Sequence, residues 1–167
     1  AISRGPGAFT GVRLAIAIAQ GIALGIDRPL VAVSTLQALA LRAPAGSERV
    51  LAAIDARMGE VYAAAFVRTA DGLALAGQEQ VLAPQAVAVD GQGWYGVGTG
   101  LAAADAALVQ HLGPALSGVD AAALPHAADL ASLAVAAWAR GEAIAPERVE
   151  PAYLRNNVAL TIAEQQA

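Results

Sequence analysis

The sequence predicts an α/β protein, and three observations carry that prediction. Short apolar, β-branched runs such as LVAVS (residues 30–34) alternate with alanine-rich stretches of helical length. The segment APAGSE (residues 43–48) is the clearest linker and divides the 167-residue chain into segments 1–43 and 44–167. Beyond it, RVLAAID (residues 49–55) and EVYAAAFVR (residues 60–68) flank the turn ARMG, so the second segment opens as an antiparallel meander.

The chain opens on AIS, which reads as the end of a strand, because three residues make too short a strand to hold a place in a sheet alone. LVAVS is its expected parallel neighbour, and a preceding piece of chain is expected as well. Gly5, Pro6 and Gly7 then form a corner. Helix one is predicted over residues 11–24, with Thr10 as N-cap, Phe9 and Leu14 at the spacing of a hydrophobic staple, and Gly25 as the stop before Pro29.

At 100° per residue, Val12, Ala15, Ile16, Ala19, Ile22, Ala23 and Ile26 share a face suited to a sheet. Arg13, Ala17, Gln20, Gly21 and Leu24 fall opposite. Ala17, Gly21 and Gly25 form a line of small residues that admits another helix closely, and Arg13 and Gln20 supply a polar edge. A helix apolar nearly all round needs cover on both sides, and the residues alone leave open whether both covers come from this chain.

Ser34 and Gln37 form a capping box for a second helix reaching about Arg42. A third meander strand follows the Asp71-Gly72 turn. WYGVGTG (residues 94–100) leads from strand into an alanine-rich helix, HAADLASLAVAAWARG (residues 126–141) is a second long helix ending at glycine, and PERVEPAYLRNN is irregular. No internal repeat is present.

Composition excludes several function classes. Hydrophobic residues make up 57% of the chain and charged ones 14%, against norms of roughly 45–50% and 25%. Alanine enrichment and a large partner surface both account for that excess. All ten basic residues are arginine and the net charge is −4, so no broad basic face exists to grip RNA unaided. The absence of cysteine rules out a disulfide framework, a thiolate nucleophile and a cysteine zinc site, and fits a cytoplasmic location. The most apolar charge-free run, residues 14–26, contains Gln20 and is shorter than the ~18 residues of a membrane span. No signal peptide is expected.

Candidate chemistry is equally restricted. A phosphate-binding Walker loop needs GxxxxGK[ST], and the chain has no lysine; only weak anion contact at the amides opening helix one stays open. His111 and His126 stand 15 positions apart without carboxylates at ligand spacing, and read as surface or helix-entry histidines. HExxH and GxSxG are absent. Asp55, Arg57 and Glu60 in DARMGEVY suggest an acid/base cluster, yet a hairpin turn also favours Asp at its start and Gly at its end, with Arg57 satisfying Asp55. GVGTG (residues 96–100) is weak evidence of a nucleotide cleft. YLRNN, with Tyr153, Arg155, Asn156 and Asn157, reads as an interlobe tether in preference to an RNA contact.

In family order, SRGPGAFTGVRLAIAIAQGIALG, VSTLQALA, VLAAIDARMGEVYAA, VGTG and EPAYLRNNVA closely resemble the TsaB family, also called YeaZ, the bacterial glycoprotease-family partner proteins of tRNA threonylcarbamoyladenosine synthesis. The resemblance implies an actin-like (ASKHA) two-lobe fold of the ribonuclease H-like type. Residues 1–43 would be the remainder of an N-terminal lobe, incomplete because family members begin with a strand and hairpin bearing an LALDTS-like segment. Residues 44–167 would be the C-terminal lobe with a returning tail.

The resemblance further implies a non-catalytic scaffold that binds and activates the catalytic paralogue TsaD, as a heterodimer engaged by the ATPase TsaE, with tRNA met only within the complex. Its expected partner-binding residues are Arg4, Gly5, Pro6, Gly7, Phe9, Thr10, Arg13, Ala17, Gln20, Gly21 and Leu24. No catalytic, metal or cofactor residue of its own is expected; a nucleotide at the seam with TsaD and a homodimer when alone stay open. The competing expectation is an actin-like enzyme with its own nucleotide-dependent or peptidase activity. The missing metal pair, lysine and nucleophile favour the scaffold.

Overall fold

A computed structural model describes residues 1–155, which build two sheets of different size. In the smaller, β1 (Ile2–Ser3) lies parallel to β2 (Ala32–Val33), with Ile2 beside Ala32 and Ser3 beside Val33, the pairing the sequence predicts. The ladder on LVAVS is shorter than expected, because Leu30 instead exchanges backbone hydrogen bonds of 2.9 and 2.8 Å with Ile144.

Side chains alternate along a strand, and the small sheet uses both of its faces. On one side Ile2 and Ala32 pack with Ile16 and Ala23 of α1 (Phe9–Gly25); on the other, Val31 and Val33 pack with Ala134 and Ala137 of α4 (Ala127–Ala139). The last long helix therefore leaves the second segment and returns to the first sheet.

Helix α1 begins two residues earlier than predicted. Ala8 precedes it in extended conformation with no side-chain cap, and Thr10 lies inside the first turn. The corner sets this entry: Gly5 sits at φ +95, a left-handed conformation open mainly to glycine, and Pro6 is buried. The predicted sheet face also needs correction. Val12, Ile16, Ala19 and Ala23 do face the core, but Ile22 and Ile26 are exposed by 61% and 62%. A helix of 17 residues is about 25 Å long, and a sheet of two-residue strands covers only part of one side.

The hydroxyl oxygen of Ser34 accepts from the amides of Leu36 and Gln37 at 3.1 and 3.3 Å, capping α2 (Thr35–Ala40) as the sequence predicts. That helix stops short of Arg42 and closes through tighter turns, Arg42 N to Leu39 O and Ala43 N to Ala40 O, because Pro44 disfavours a helical residue before it.

The larger sheet has the order β5-β4-β3-β6-β7. Strands β3 (Arg49–Arg57), β4 (Glu60–Thr69) and β5 (Gly72–Leu82) form the expected meander, and β6 (Trp94–Val97) and β7 (Leu116–Asp120) add in parallel beside β3. Central β3 is covered on both faces. Val50 and Ala52 pack with Leu36, Leu39 and Phe66 beneath α2, while Leu51 and Ala53 pack with Leu101, Leu108 and Leu112 beneath α3 (Ala103–Leu112). Strand β7 was not expected; only Leu116 and Val119 in LSGVD are large and apolar, and its edge position asks for no more.

Between Ala63 and Ala65 the β4–β5 ladder is interrupted. Ala63 stands opposite Gln80 and Ala65 opposite Ala76, so Gly77, Gln78 and Glu79 bulge out, with Gly77 at φ +98. The bulge delivers Glu79 to the first segment, where it accepts the Ser34 hydroxyl and lies 3.7 Å from Arg4.

Candidate functional site

Two surface features stand out. The first is the outer side of α1, where Leu14, Ile18 and Ile22 are exposed by 59%, 55% and 61% and stand beside the exposed small residues Ala17, Gly21 and Gly25. Leu24 is exposed too, and no side chain on this side is charged. A β-carbon added at Gly21 or Gly25 meets nothing within 4 Å, so space lies open above the helix.

The second is a cleft of about 570 Å³ between the α1 corner, the β3–β4 turn and the C-terminal tail. Three motifs far apart in sequence meet here: Pro6 to Arg13, Ile54 to Arg57, and Pro151 to Arg155. The guanidinium carbon of Arg13 lies 3.4 Å from the centroid of the Phe9 ring and 5.0 Å from that of Tyr153. Its Nη1 donates to the Phe9 carbonyl at 3.1 Å. The tail is held by Ala152 N donating to Arg4 O at 2.8 Å and by Arg155, whose Nη2 donates to Ala56 O at 3.1 Å and to Glu60 at 2.5 Å.

The residues that suggested catalysis have structural partners. Asp55 Oδ1 accepts from the Arg57 amide at 2.8 Å and Oδ2 lies 3.2 Å from the Arg57 guanidinium, the local satisfaction the turn chemistry predicts. Glu60 pairs with Arg155, a long-range contact the turn motif gave no sign of. His126 caps α4 by accepting from Ala128 N at 3.3 Å, and His111 Nε2 lies 3.0 Å from the Val87 carbonyl. Among the described residues no cluster of three His, Cys, Asp or Glu is placed to hold a metal, and no helix is long and apolar enough to cross a membrane.

The GVGTG glycines are taken up by packing. A β-carbon on Gly98 would collide with the Ala53 carbonyl oxygen and Leu39, and one on Gly100 would lie 2.8 Å from the Ala53 carbonyl carbon. Thr99 accepts from Asp55 N at 3.2 Å, so the loop is clasped to β3.

A family model described as "TsaD: tRNA N6-adenosine threonylcarbamoyltransferase" matches residues 1–163. The chain is 45% identical, over 172 aligned residues, to the tRNA threonylcarbamoyladenosine biosynthesis protein TsaB of Escherichia coli K12, with 95% of this chain and 71% of that protein covered. Identity to the TsaB of Haemophilus influenzae is 38% over 170 residues, covering 95% and 70%. The solved structure described as YeaZ from Pseudomonas aeruginosa superposes with a TM-score of 0.82 at 49% identity, over 91% of this chain and 71% of that one. The chain belongs to the TsaB (YeaZ) family.

Its fold is accordingly the actin-like fold of the glycoprotease family. On this TsaB-family frame the eleven residues expected to meet a partner do not share one surface. Ala17, Gly21 and Leu24 lie on the open outer side of α1, and exposed Thr10 lies in its first turn. Gly5 and Pro6 are buried, Gly7, Phe9 and Arg13 line the cleft, and Arg4 lies by Glu79. Gln20 is turned inward, its Nε2 donating to the carbonyls of Pro146 and Val149 at 2.8 and 3.2 Å. Sequence reasoning missed Leu14, Ile18 and Ile22 as outer-face residues; a wheel centred on the exposed side would have found them. Asn156 and Asn157 of the YLRNN block lie outside the described residues.

Proposed function

We propose that the chain is a non-catalytic subunit of a tRNA threonylcarbamoyladenosine-forming system, and that it docks and activates the catalytic paralogue TsaD through the outer side of α1. The observation that carries this proposal is the uncharged side formed by Leu14, Ala17, Ile18, Gly21, Ile22 and Leu24, apolar throughout and open to approach. A water-facing helix normally presents polar residues there, and small residues between larger apolar ones suit close helix–helix packing. The names of the curated relatives support the pathway.

In this proposal TsaE engages the assembled pair, tRNA is met only within the complex, and the same side pairs two copies when TsaD is absent. The protein works in the cytoplasm and carries no cofactor of its own, any nucleotide belonging to the seam with TsaD. The alternative of an independent actin-like enzyme draws less support, because the GVGTG glycines and the Asp55 carboxylate are engaged inside the chain.

Calorimetric titration of the protein with purified TsaD tests the proposal. Specific interfaces bury about 1,600 Å² and depend on a few central anchors. Ile18→Asp and Gly21→Leu should each abolish measurable binding while the free protein keeps its melting temperature. Binding of both variants at parental affinity overturns the assignment of this surface.

A further inference from the structure

We propose that the cleft between the α1 corner, the β3–β4 turn and the tail is a binding site for a small organic anion: an acid group carried on a flat, apolar body. This site is separate from the docking side of α1 and does not depend on it.

Three features converge on such a ligand. Arg13 is a fixed cation: two aromatic rings hold its guanidinium at the cleft, and among the described residues it pairs with no carboxylate. A guanidinium immobilised in this way offers its remaining N–H groups to a carboxylate or phosphate with little further loss of freedom. Arg155 lines the same cleft. Its Nη atoms are engaged by Ala56, Met58 and Glu60, which fix a second guanidinium at the cleft wall. Finally, no side chain caps the first turn of α1, whose residues border the cleft, so amides there remain available to negative charge.

The remainder of the cleft fits the body of the ligand. Val12, Ile54 and Pro6 provide apolar wall, and Tyr62 and Tyr153 provide rings for stacking. Asp55, the acidic residue of the lining, is neutralised by Arg57. The volume falls in the ordinary range for small-molecule sites, about 300–1,000 Å³.

The experiment titrates the full chain with four probes, benzoate, phenyl phosphate, inorganic phosphate and benzamide, followed by amide chemical shifts. Benzoate and phenyl phosphate should bind about tenfold more tightly than benzamide, which keeps the shape without the charge. Comparison of the two anions decides which acid the site prefers. Arg13→Met should bring both to the benzamide level, Tyr153→Ala should weaken all three aromatic probes, and neither variant should change the melting temperature, both side chains lying at the surface of the cleft. Equal binding of benzamide, inorganic phosphate as tight as phenyl phosphate, unaltered binding by Arg13→Met, or no binding by any probe each overturns the proposal.

Discussion

Arg155 Nη2 lies 2.5 Å from Glu60 and 3.1 Å from the Ala56 carbonyl, so one guanidinium joins the C-terminal tail to both strands of the β3–β4 hairpin. Glu60→Gln keeps an acceptor at this position but removes the charge. The Arg155 side chain is 19% exposed and Glu60 is 37% exposed, so the pair is partly shielded from water. The variant should lose about 1 kcal/mol of stability. Thermal melting should show a fall of roughly 2–4 °C, as expected for a domain of this size.

Gly98 and Gly21 should respond in opposite directions to the same added methyl group. Gly98 sits at φ +106 with the Ala53 carbonyl and Leu39 against it, so Gly98→Ala adds both backbone strain and overlap. Its cost should reach about 3 kcal/mol or more. Gly21 lies in mid-helix with open space around it, so Gly21→Ala should gain up to about 1 kcal/mol from helix propensity. Denaturant midpoints of the two variants measure both effects.

Gln20→Ala removes the two hydrogen bonds that hold the Pro146 and Val149 carbonyls against α1. The loss should be about 1–2 kcal/mol. Because the short helical turn Pro146–Arg148 is thereby freed, trypsin should cut after Arg148 faster in the variant than in the parent.

Ser34 has two duties, capping α2 and donating to Glu79 across the two segments. Ser34→Ala should cost about 1–2 kcal/mol for the cap alone. A Ser34→Ala, Glu79→Gln double-mutant cycle should show coupling between the two sites, since each residue is the other's partner. Additive losses would mean that the segments are held together elsewhere.

Local chemistry was legible in the sequence where it stays local. The hairpin could be read from Asp55 and Gly59, and the structure places Gly59 at φ +75, a conformation glycine adopts freely, after Arg57 and Met58 at φ +64 and +56, which their residue types do not announce. The Ser34 cap was legible for the same reason. The parallel pairing of β1 with β2 was legible from the strand-helix-strand order of the chain. Other long-range relations were not. Gln20 reads as the polar edge of an outward side until Pro146, 126 positions later, is seen to lie beside it. The cleft is invisible to periodicity, because its walls come from residues 6–13, 54–62 and 151–155. The extent of the sheet beneath α1 is likewise a tertiary fact, so the wheel placed Ile22 and Ile26 on the wrong side.

The bulge at Gly77–Glu79 has a consequence for crowded solutions. Strand β5 is an outermost strand, and 11 uninterrupted residues there would offer another molecule a long template for cross-molecule ladder formation. The bulge cuts that template into residues 72–76 and 80–82, while Glu79 is drawn back onto Ser34 and Arg4. The first remnant is no longer than an ordinary strand of about 5–6 residues and the second falls short of one, so the protein's own geometry opposes fibre-like stacking through this border.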